Sequence, residues 1–227
     1  MTFIVNPKRR ADFLKAFIEL DEDLVLPEAR AFLDEGLEAP DLLKLCLEGL
    51  LGIGRLYETQ GYFVAGLIIA DDMMRSVMDM IAARPELKPA DGRLGLVLVG
   101  TVEGDIHDLG KNVAAMFLRA HGYEVADLGV DVPPAVFLGK TMELRPDMVG
   151  LSMLTSSCFE ALKRTVHLLK NEIPPEYHHP LVAVGGGIVD EYVLKNIKAD
   201  ALTGDFENTL VLAGQACARR ARKKSIF

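Results

Sequence analysis

The chain has little that would tie it to an oxidising compartment, a membrane or a nucleic acid. Only three cysteines occur in 227 residues. Cys46, Cys158 and Cys217 are far apart and odd in number, with neither a disulfide framework nor zinc-type pair spacing, so a reducing cytoplasm is the expected home. The segment Met1-Thr2-Phe3-Ile4-Val5-Asn6-Pro7 lacks the apolar core of a signal peptide. The longest apolar stretches, such as Tyr62 to Ala70, are too short to span a bilayer. Excess positive charge is missing as well: the formal net charge is −8, which argues against a nucleic-acid partner. The basic run Arg219-Arg220-Ala221-Arg222-Lys223-Lys224 is a local exception and reads as a solvated helix end, where cations suit the dipole. What is present is ordinary for a globular chain, with 50% apolar and 26% charged residues and room for one large core or two small ones.

Two rhythms divide the chain. From about residue 7 to 84 the pattern is helical throughout. Phe13, Leu14, Phe17, Ile18 and Leu20 form one stripe, and Pro27 to Leu37 a second with proline at the helix start. Leu42, Leu43, Leu45, Cys46, Leu50, Ile53 and Leu56 form a third. Phe63, Leu67, Ile68, Met73, Met74, Val77, Met78 and Ile81 form a fourth, so the segment reads as a four-helix bundle. Asp71 and Asp72 read as a solvated face. The polar, proline-flanked stretch from Pro85 to Arg93 reads as a domain joint. Beyond it, short apolar runs (Leu94–Val99, Glu124–Leu128, Met148–Met153, Leu181–Val184, Ala201–Leu202) alternate with helix-like segments near 111–121, 134–144, 157–170, 189–197 and 206–222. That alternation predicts an α/β unit with a parallel sheet covered on both faces, whose ligand lies at the carboxyl ends of the strands.

Three loops would meet at that edge. The first holds Gly104-Asp105-Ile106-His107-Asp108-Leu109-Gly110. A carboxylate two residues before an imidazole can hold one ring nitrogen while the other faces outward, which is how a metal-ligating histidine is oriented. One histidine cannot cage a metal alone, so the metal would have to arrive already ligated, as in a macrocycle. The second loop, Ser152-Met153-Leu154-Thr155-Ser156-Ser157-Cys158, is small and hydroxyl-rich, and Thr155 to Ser157 also suit the N-cap of the next helix. The third, Gly185-Gly186-Gly187, lets something bulky lie against the backbone. His178 and His179 lack a partner motif and read as loop residues. His121, before Gly122, reads as a helix C-terminal cation.

In order and spacing these elements resemble the cobalamin-binding proteins with an Asp-x-His-x-x-Gly, Ser-x-Leu and Gly-Gly signature. The matches are Asp105 to Gly110, Ser152-Met153-Leu154 and Gly185-Gly186. The interval from Gly110 to Ser152 agrees with the family, and that from Leu154 to Gly185 is longer, with Pro174 to Pro180 as the insertion. The stretch Gly52 to Phe63, with Ile69 to Met74, is similar to the helical cap of corrinoid methyl carriers. The resemblance implies a bundle cap over residues 1–88 and a flavodoxin- or Rossmann-like, doubly wound, five-stranded cobalamin-binding domain over 89–227.

The resemblance also implies roles. The nucleotide tail of the cofactor leaves cobalt, His107 becomes the lower axial ligand, and Asp105 supports it. Ser152 and Leu154 meet the buried base, and Gly185, Gly186 and Gly187 flank the tail. Gly104, Ile106, Asp108, Gly110, Thr155, Ser156 and Gly204 complete the cofactor contacts. Phe63 shields the upper face, with Glu48 and Leu67 as weaker matches. Cys158 stands where relay members have a serine, so Ser156 or Ser157 substitutes or the relay is looser. Asp105 would store a proton when His107 detaches.

The implied function is a non-catalytic corrinoid subunit that cycles between methylcobalamin and cob(I)alamin, with the 85–93 joint as hinge. Its partners would be a donor-specific methyltransferase, an acceptor methyltransferase and a reductive activator, in an anaerobe. The donor expected is a phenyl methyl ether and the acceptor tetrahydrofolate, with coenzyme M the other acceptor. The alternatives are a cobalamin-dependent sensor, which would normally carry a DNA-binding module, and the coenzyme subunit of a mutase, which usually lacks the cap.

Overall fold

The structure is a computed structural model and describes residues 5–60, 64–84 and 94–224. The chain divides into two compact units, Met1–Lys88 and Pro89–Phe227.

The first unit holds α1 (Pro7–Ile18), α2 (Glu22–Asp34), α3 (Ala39–Gln60) and α4 (Val64–Ala82). Helix α1 starts where Asn6 accepts the Lys8 amide at 2.9 Å and proline occupies the first turn, both standard start signals. Its apolar stripe buries Phe13 and Phe17, whose neighbour Phe32 on α2 completes a tilted ring cluster with Phe13 at 5.5 Å. Gly49 on α3 lets α1 approach closely, since a Cβ there would lie 2.7 Å from Phe17 Cδ1. Leu42, Leu43, Ile53, Met73, Met74 and Val77 are fully buried, each worth about 2 kcal/mol of apolar transfer. The acids at 71 and 72 divide: Asp71 pairs with Arg75 one turn on at 2.6 Å, while Asp72 is exposed. One boundary differs from expectation: Pro27 lies inside α2, not at its start. Asp21 accepts the Leu24 amide and so begins the helix at Glu22. The bond that Pro27 cannot donate then falls on Asp23, which is exposed, so the missing partner costs least there.

The second unit alternates β1 (Leu96–Thr101), α5 (Leu109–Ala120), β2 (Glu124–Asp127), α6 (Pro134–Leu144), β3 (Met148–Ser152), α7 (Phe159–Asn171), β4 (Leu181–Gly185), α8 (Glu191–Ile197), β5 (Ala201–Leu202) and α9 (Phe206–Lys224). All pairings are parallel in the order β2-β1-β3-β4-β5. Side chains alternate between two cores. Val97, Val99, Met148 and Ala183 pack with Ala115, Leu118, Leu212 and Ala216 of α5 and α9. Leu98, Val149, Leu151, Val182 and Val184 pack with Phe137, Leu162, Val166 and Ile197 of α6, α7 and α8. The sheet is doubly wound, as the alternation of apolar runs and helical segments predicts. β1 begins two residues later than the apolar run because Leu94 is exposed. The loop after α7 is anchored by Tyr177, which carries the Arg145 guanidinium over its ring at 4.9 Å.

The basic end of α9 is not wholly solvated. Arg220 Nη1 donates to Asp147 Oδ1 at 3.2 Å and to the Arg145 carbonyl at 2.9 Å. At the other expected helix end, His121 caps α5 and its Nδ1 lies 2.8 Å from the Phe117 carbonyl.

Candidate functional site

With this strand order the chain leaves β1 towards β2 on one side and later reaches β3 on the other, so the loops after β1 and β3 part and open a crevice at their carboxyl ends. Both loops converge on one side chain. Asp105 is buried, and its Oδ1 accepts the His107 amide at 3.0 Å and faces His107 Nδ1 at 2.6 Å. Its Oδ2 accepts the amides of Leu154 at 2.6 Å and Thr155 at 3.1 Å from the β3 loop. Burial alone would raise the carboxyl pKa. The donors outweigh it, the Leu154 amide first and the His107 amide and ring next, and hold the group far below the usual carboxylate range.

Two consequences follow. An ionised carboxylate is acceptor only, so Nδ1 carries a hydrogen towards Asp105 and Nε2 is the ring nitrogen that Asp105 leaves unheld. And Asp105 stands as an ionised acceptor between the two loops. The His107 side chain is 54% exposed, so the ring stands half out of the protein with one nitrogen held and the other available. Thr101 Oγ1 steadies it from within by donating to the His107 carbonyl at 2.9 Å.

The hydroxyl that reaches Asp105 from the β3 loop is that of Thr155, beside the Leu154 and Thr155 amides. Ser157 Oγ instead lies 3.7 Å from Cys158 Sγ, and Cys158 is buried in the apolar core. Thr155, Ser156 and Ser157 do not cap α7. A single 3-10 turn over Ser156–Cys158 intervenes, so the cap position of α7 falls to Cys158, without a side-chain bond.

The glycine loop joins the same edge. Met153 donates its amide to Gly185 O at 3.0 Å, and a Cβ on Gly186 would lie 1.8 Å from Met153 O. With φ +131°, Gly186 is a position only glycine fills. A Cβ on Gly187 would lie 3.3 Å from Leu154 Cδ1. Gly110 has open space beside it. Gly204 lies after β5, where Thr203 donates to Val184 O at 2.9 Å. Ser152 ends β3 in register with Thr101 and Gly185. Ile106, Leu154 and Ile188 are exposed apolar side chains on these three loops.

One participant was missed. Asp131, after β2, donates its amide to Asp105 O at 2.9 Å and accepts the Gly104 amide on Oδ1 at 2.6 Å. It does so in the left-handed region at φ +52°, a conformation costly outside glycine and tolerated where surrounding bonds impose it. The signal was available: Asp131 follows the second strand, which the parallel order sets beside the first.

Phe63 and the 85–93 joint lie outside the described residues, as does the side chain of Leu67. Glu48 pairs with Arg10, and Met73, Met74 and Met78 are bundle core. Among the described residues no group of three or more His, Cys, Asp or Glu could hold a metal ion, and no helix is long and apolar enough to cross a membrane. One outward imidazole nitrogen, an apolar rim and a glycine-built wall suit a metal that comes already chelated in a large, flat ligand.

Comparison with known proteins agrees with this geometry. The B12 binding domain family matches residues 95–213, and a second B12 binding domain model matches 9–82. Dimethylamine corrinoid protein 2 of Methanosarcina acetivorans is 34% identical over 152 residues, 67% of this chain and 69% of its own. A corrinoid protein of Desulfitobacterium hafniense is 28% identical over 205 residues, 88% and 94% of the two chains. The fold is that of the monomethylamine corrinoid protein of Methanosarcina barkeri, with TM-score 0.80 over 93% of this chain and 99% of that one at 21% identity. The chain belongs to the B12-binding family of corrinoid proteins, the methyl carriers of methyltransferase systems, and its cofactor is cobalamin.

Proposed function

We propose that this protein holds cobalamin with its nucleotide base off cobalt and His107 below it, and carries a methyl group between two methyltransferases. Bound cobalamin would supply the nucleophile that accepts the methyl group and the bond that releases it. The chain's own residues bind, orient and shield. Asp105 holds the Nδ1 hydrogen of His107, so Nε2 is the ligand atom, and the fixed carboxylate raises its basicity. Ser152, Leu154, Thr155, Ser156 and the glycines at 185 to 187 and 204 line the slot for the nucleotide arm. Gly104, Ile106, Asp108 and Gly110 would contact the macrocycle. The resemblance to corrinoid methyl carriers would make residues 1–88 the cap, Phe63 its shielding residue and 85–93 the hinge.

The observation that carries this reading is the Asp105 carboxylate. Its two oxygens join the β1 loop to the β3 loop and leave a half-exposed ring with one nitrogen available. The finer assignment is an aromatic methyl ether as donor and tetrahydrofolate as acceptor, with a reductive activator to rescue oxidised cofactor, in the cytoplasm of an anaerobe. A methylated amine as donor is favoured by the similarity to a dimethylamine corrinoid protein.

The test is spectroscopic and then enzymatic. The reconstituted holoprotein should show a base-off spectrum with a histidine ligand, and His107→Ala should abolish the histidine signature. An unchanged spectrum in that variant refutes the assignment. Methyl transfer measured with purified ether- and amine-specific methyltransferases then separates the two donors.

A further inference from the structure

Lys111 on α5 carries a cation whose side chain is only 3% exposed. Its Nζ lies 2.5 Å from Asp127 Oδ2 at the end of β2 and 2.7 Å from Asn112 Oδ1. As a source of stability such a pair is poor, because desolvating two charges offsets their attraction, and an apolar side chain would fill the space as well. Its value lies in where its hydrogen bonds lead.

One arm runs along α5: Asn112 Nδ2 donates to Asp108 Oδ2 at 2.9 Å. The other crosses the strands. Asp127 Oδ1 accepts the Gly129 amide at 2.9 Å, and Gly129 O accepts the Thr101 amide at 2.9 Å. The buried Thr101 hydroxyl then donates to His107 O at 2.9 Å. Both arms start at one buried ammonium and end on either side of the peptide that joins His107 to Asp108. Asp105 grips the ring and the amide of His107, which leaves the carbonyl side to these arms.

We propose that Lys111, with Asp127, is a positioning residue that sets the His107–Asp108 peptide and so the direction in which Nε2 points at the cobalt. This rests on His107 being the lower axial ligand. A ring fastened at Nδ1 still pitches with its backbone, and a coordination bond tolerates misplacement of only about 0.5 Å and 10–20°. Residue 111 thus contributes to axial coordination without touching the cofactor.

The test uses holoprotein reconstituted with cobalamin, reduced to Co(II), and made with 15N-histidine so that an imidazole ligand is told from benzimidazole by its hyperfine pattern. Lys111→Met keeps the length of the side chain and removes the charge. Asn112→Ala cuts one arm in a helix that favours alanine, and Thr101→Val cuts the other without changing shape. Lys111→Met should lower the histidine-coordinated fraction at least threefold while cofactor remains bound. Each single-arm variant should fall between it and wild type, and the two combined should match it. Melting temperature is followed in parallel. Loss of thermal stability with an unchanged histidine fraction would make the network merely structural and overturn the proposal. If Lys111→Met does not fold, an unchanged fraction in both arm variants overturns it equally. A wild-type spectrum without the 15N signature, or one that survives His107→Ala, defeats the axial-ligand reading itself, an outcome distinct from a normal wild type with unaffected variants.

Discussion

Among the described residues of the α/β unit two aspartates are buried, one at each end of the sheet, and both tie β1 to β3. Asp105 at the carboxyl edge is 1% exposed and Asp147 at the amino edge 4%. Asp147 accepts the Leu96 amide on Oδ2 at 2.9 Å, and Arg220 closes the other oxygen at 3.2 Å. Asp105 accepts the Leu154 and Thr155 amides on one oxygen and is closed on the other by His107. Residue type, burial and the strands joined are the same; the closing group differs. A guanidinium is always charged and has no lone pair to offer, so it ends the chain of contacts. An imidazole held at one nitrogen presents the other, so it passes the contact outward. The amino edge is therefore a lock and the carboxyl edge a mount. Substitutions at matched positions separate the two.

The largest difference is expected at the glycines. Gly186→Ala drives a Cβ into the Met153 carbonyl at 1.8 Å, with φ +131°. Neither backbone yields, so overpacking and strain add to about 4 kcal/mol. A Cβ on Gly95 at the amino edge would lie 2.2 Å from Cys217 Sγ and 2.9 Å from Asp147 Oδ2. Those are side-chain atoms that can shift, and Gly95→Ala should cost about 2 kcal/mol. Urea unfolding of the apoproteins measures both, and equal losses would erase the distinction.

Next come the aspartates themselves. Asn at 105 offers one oxygen to two sets of donors, so one set is left facing an NH2 group. Asp105→Asn should cost about 2–3 kcal/mol and weaken cobalamin binding roughly 10- to 100-fold. At 147 the oxygen can stay on the Leu96 amide, while the half-exposed Arg220 loses its ion pair but keeps the Arg145 carbonyl, for about 1 kcal/mol, with cofactor affinity unchanged. Fluorescence or absorbance titration with cobalamin measures the affinities, and a similar loss of binding in both variants would sink the comparison.

The depressed pKa of Asp105 gives this a pH signature in the apoprotein. The folded carboxyl titrates below its unfolded value of about 3.9. Its contribution is therefore complete above that value and is lost as pH falls through the lower folded value. The stability gap between wild type and Asp105→Asn should be flat above about pH 5 and close progressively in more acid solution. A gap that widens on acidification would show the sign to be wrong.

How much of this was legible follows from the range of each interaction. The period of the apolar residues reveals the two units, and each strand lies within a few residues of its apolar run. Asp105 and His107 stand two positions apart, so their bond is a local motif. Asp131 is invisible to local reading because its bonds to residues 104 and 105 cross from β2 to β1, and only the parallel register brings them together. Arg220 is 73 residues from Asp147, so a helix end that looks solvated in one dimension is docked in three. Pro27 and Thr155 to Ser157 misled for a shared reason. A start signal marks where a helix can begin, and a nearby element, Asp21 in one case and the 3-10 turn in the other, decided where it did.

The smallest effect tests the field at the amino edge. Burial first, and then Asp147 by charge and hydrogen bond, push the Cys217 thiol up to about 11. At pH 8 only about one thiol in a thousand is then ionised, and the thiolate is the nucleophile. Cys46 is fully buried, and burial alone raises its thiol further still. Native-state alkylation at pH 8 should therefore be slow at both. Asp147→Asn removes the charge at Cys217 but leaves the burial, so its alkylation should quicken only about three- to tenfold, while Cys46, in the other unit, should not change. Mass-spectrometric peptide mapping over time reads each cysteine separately. A rise at both sites would indicate general loosening of the fold, whereas a rise at Cys217 alone would assign the effect to the carboxylate and show that the amino-edge aspartate exerts its charge inward on the core, while Asp105 presents its charge outward through an imidazole.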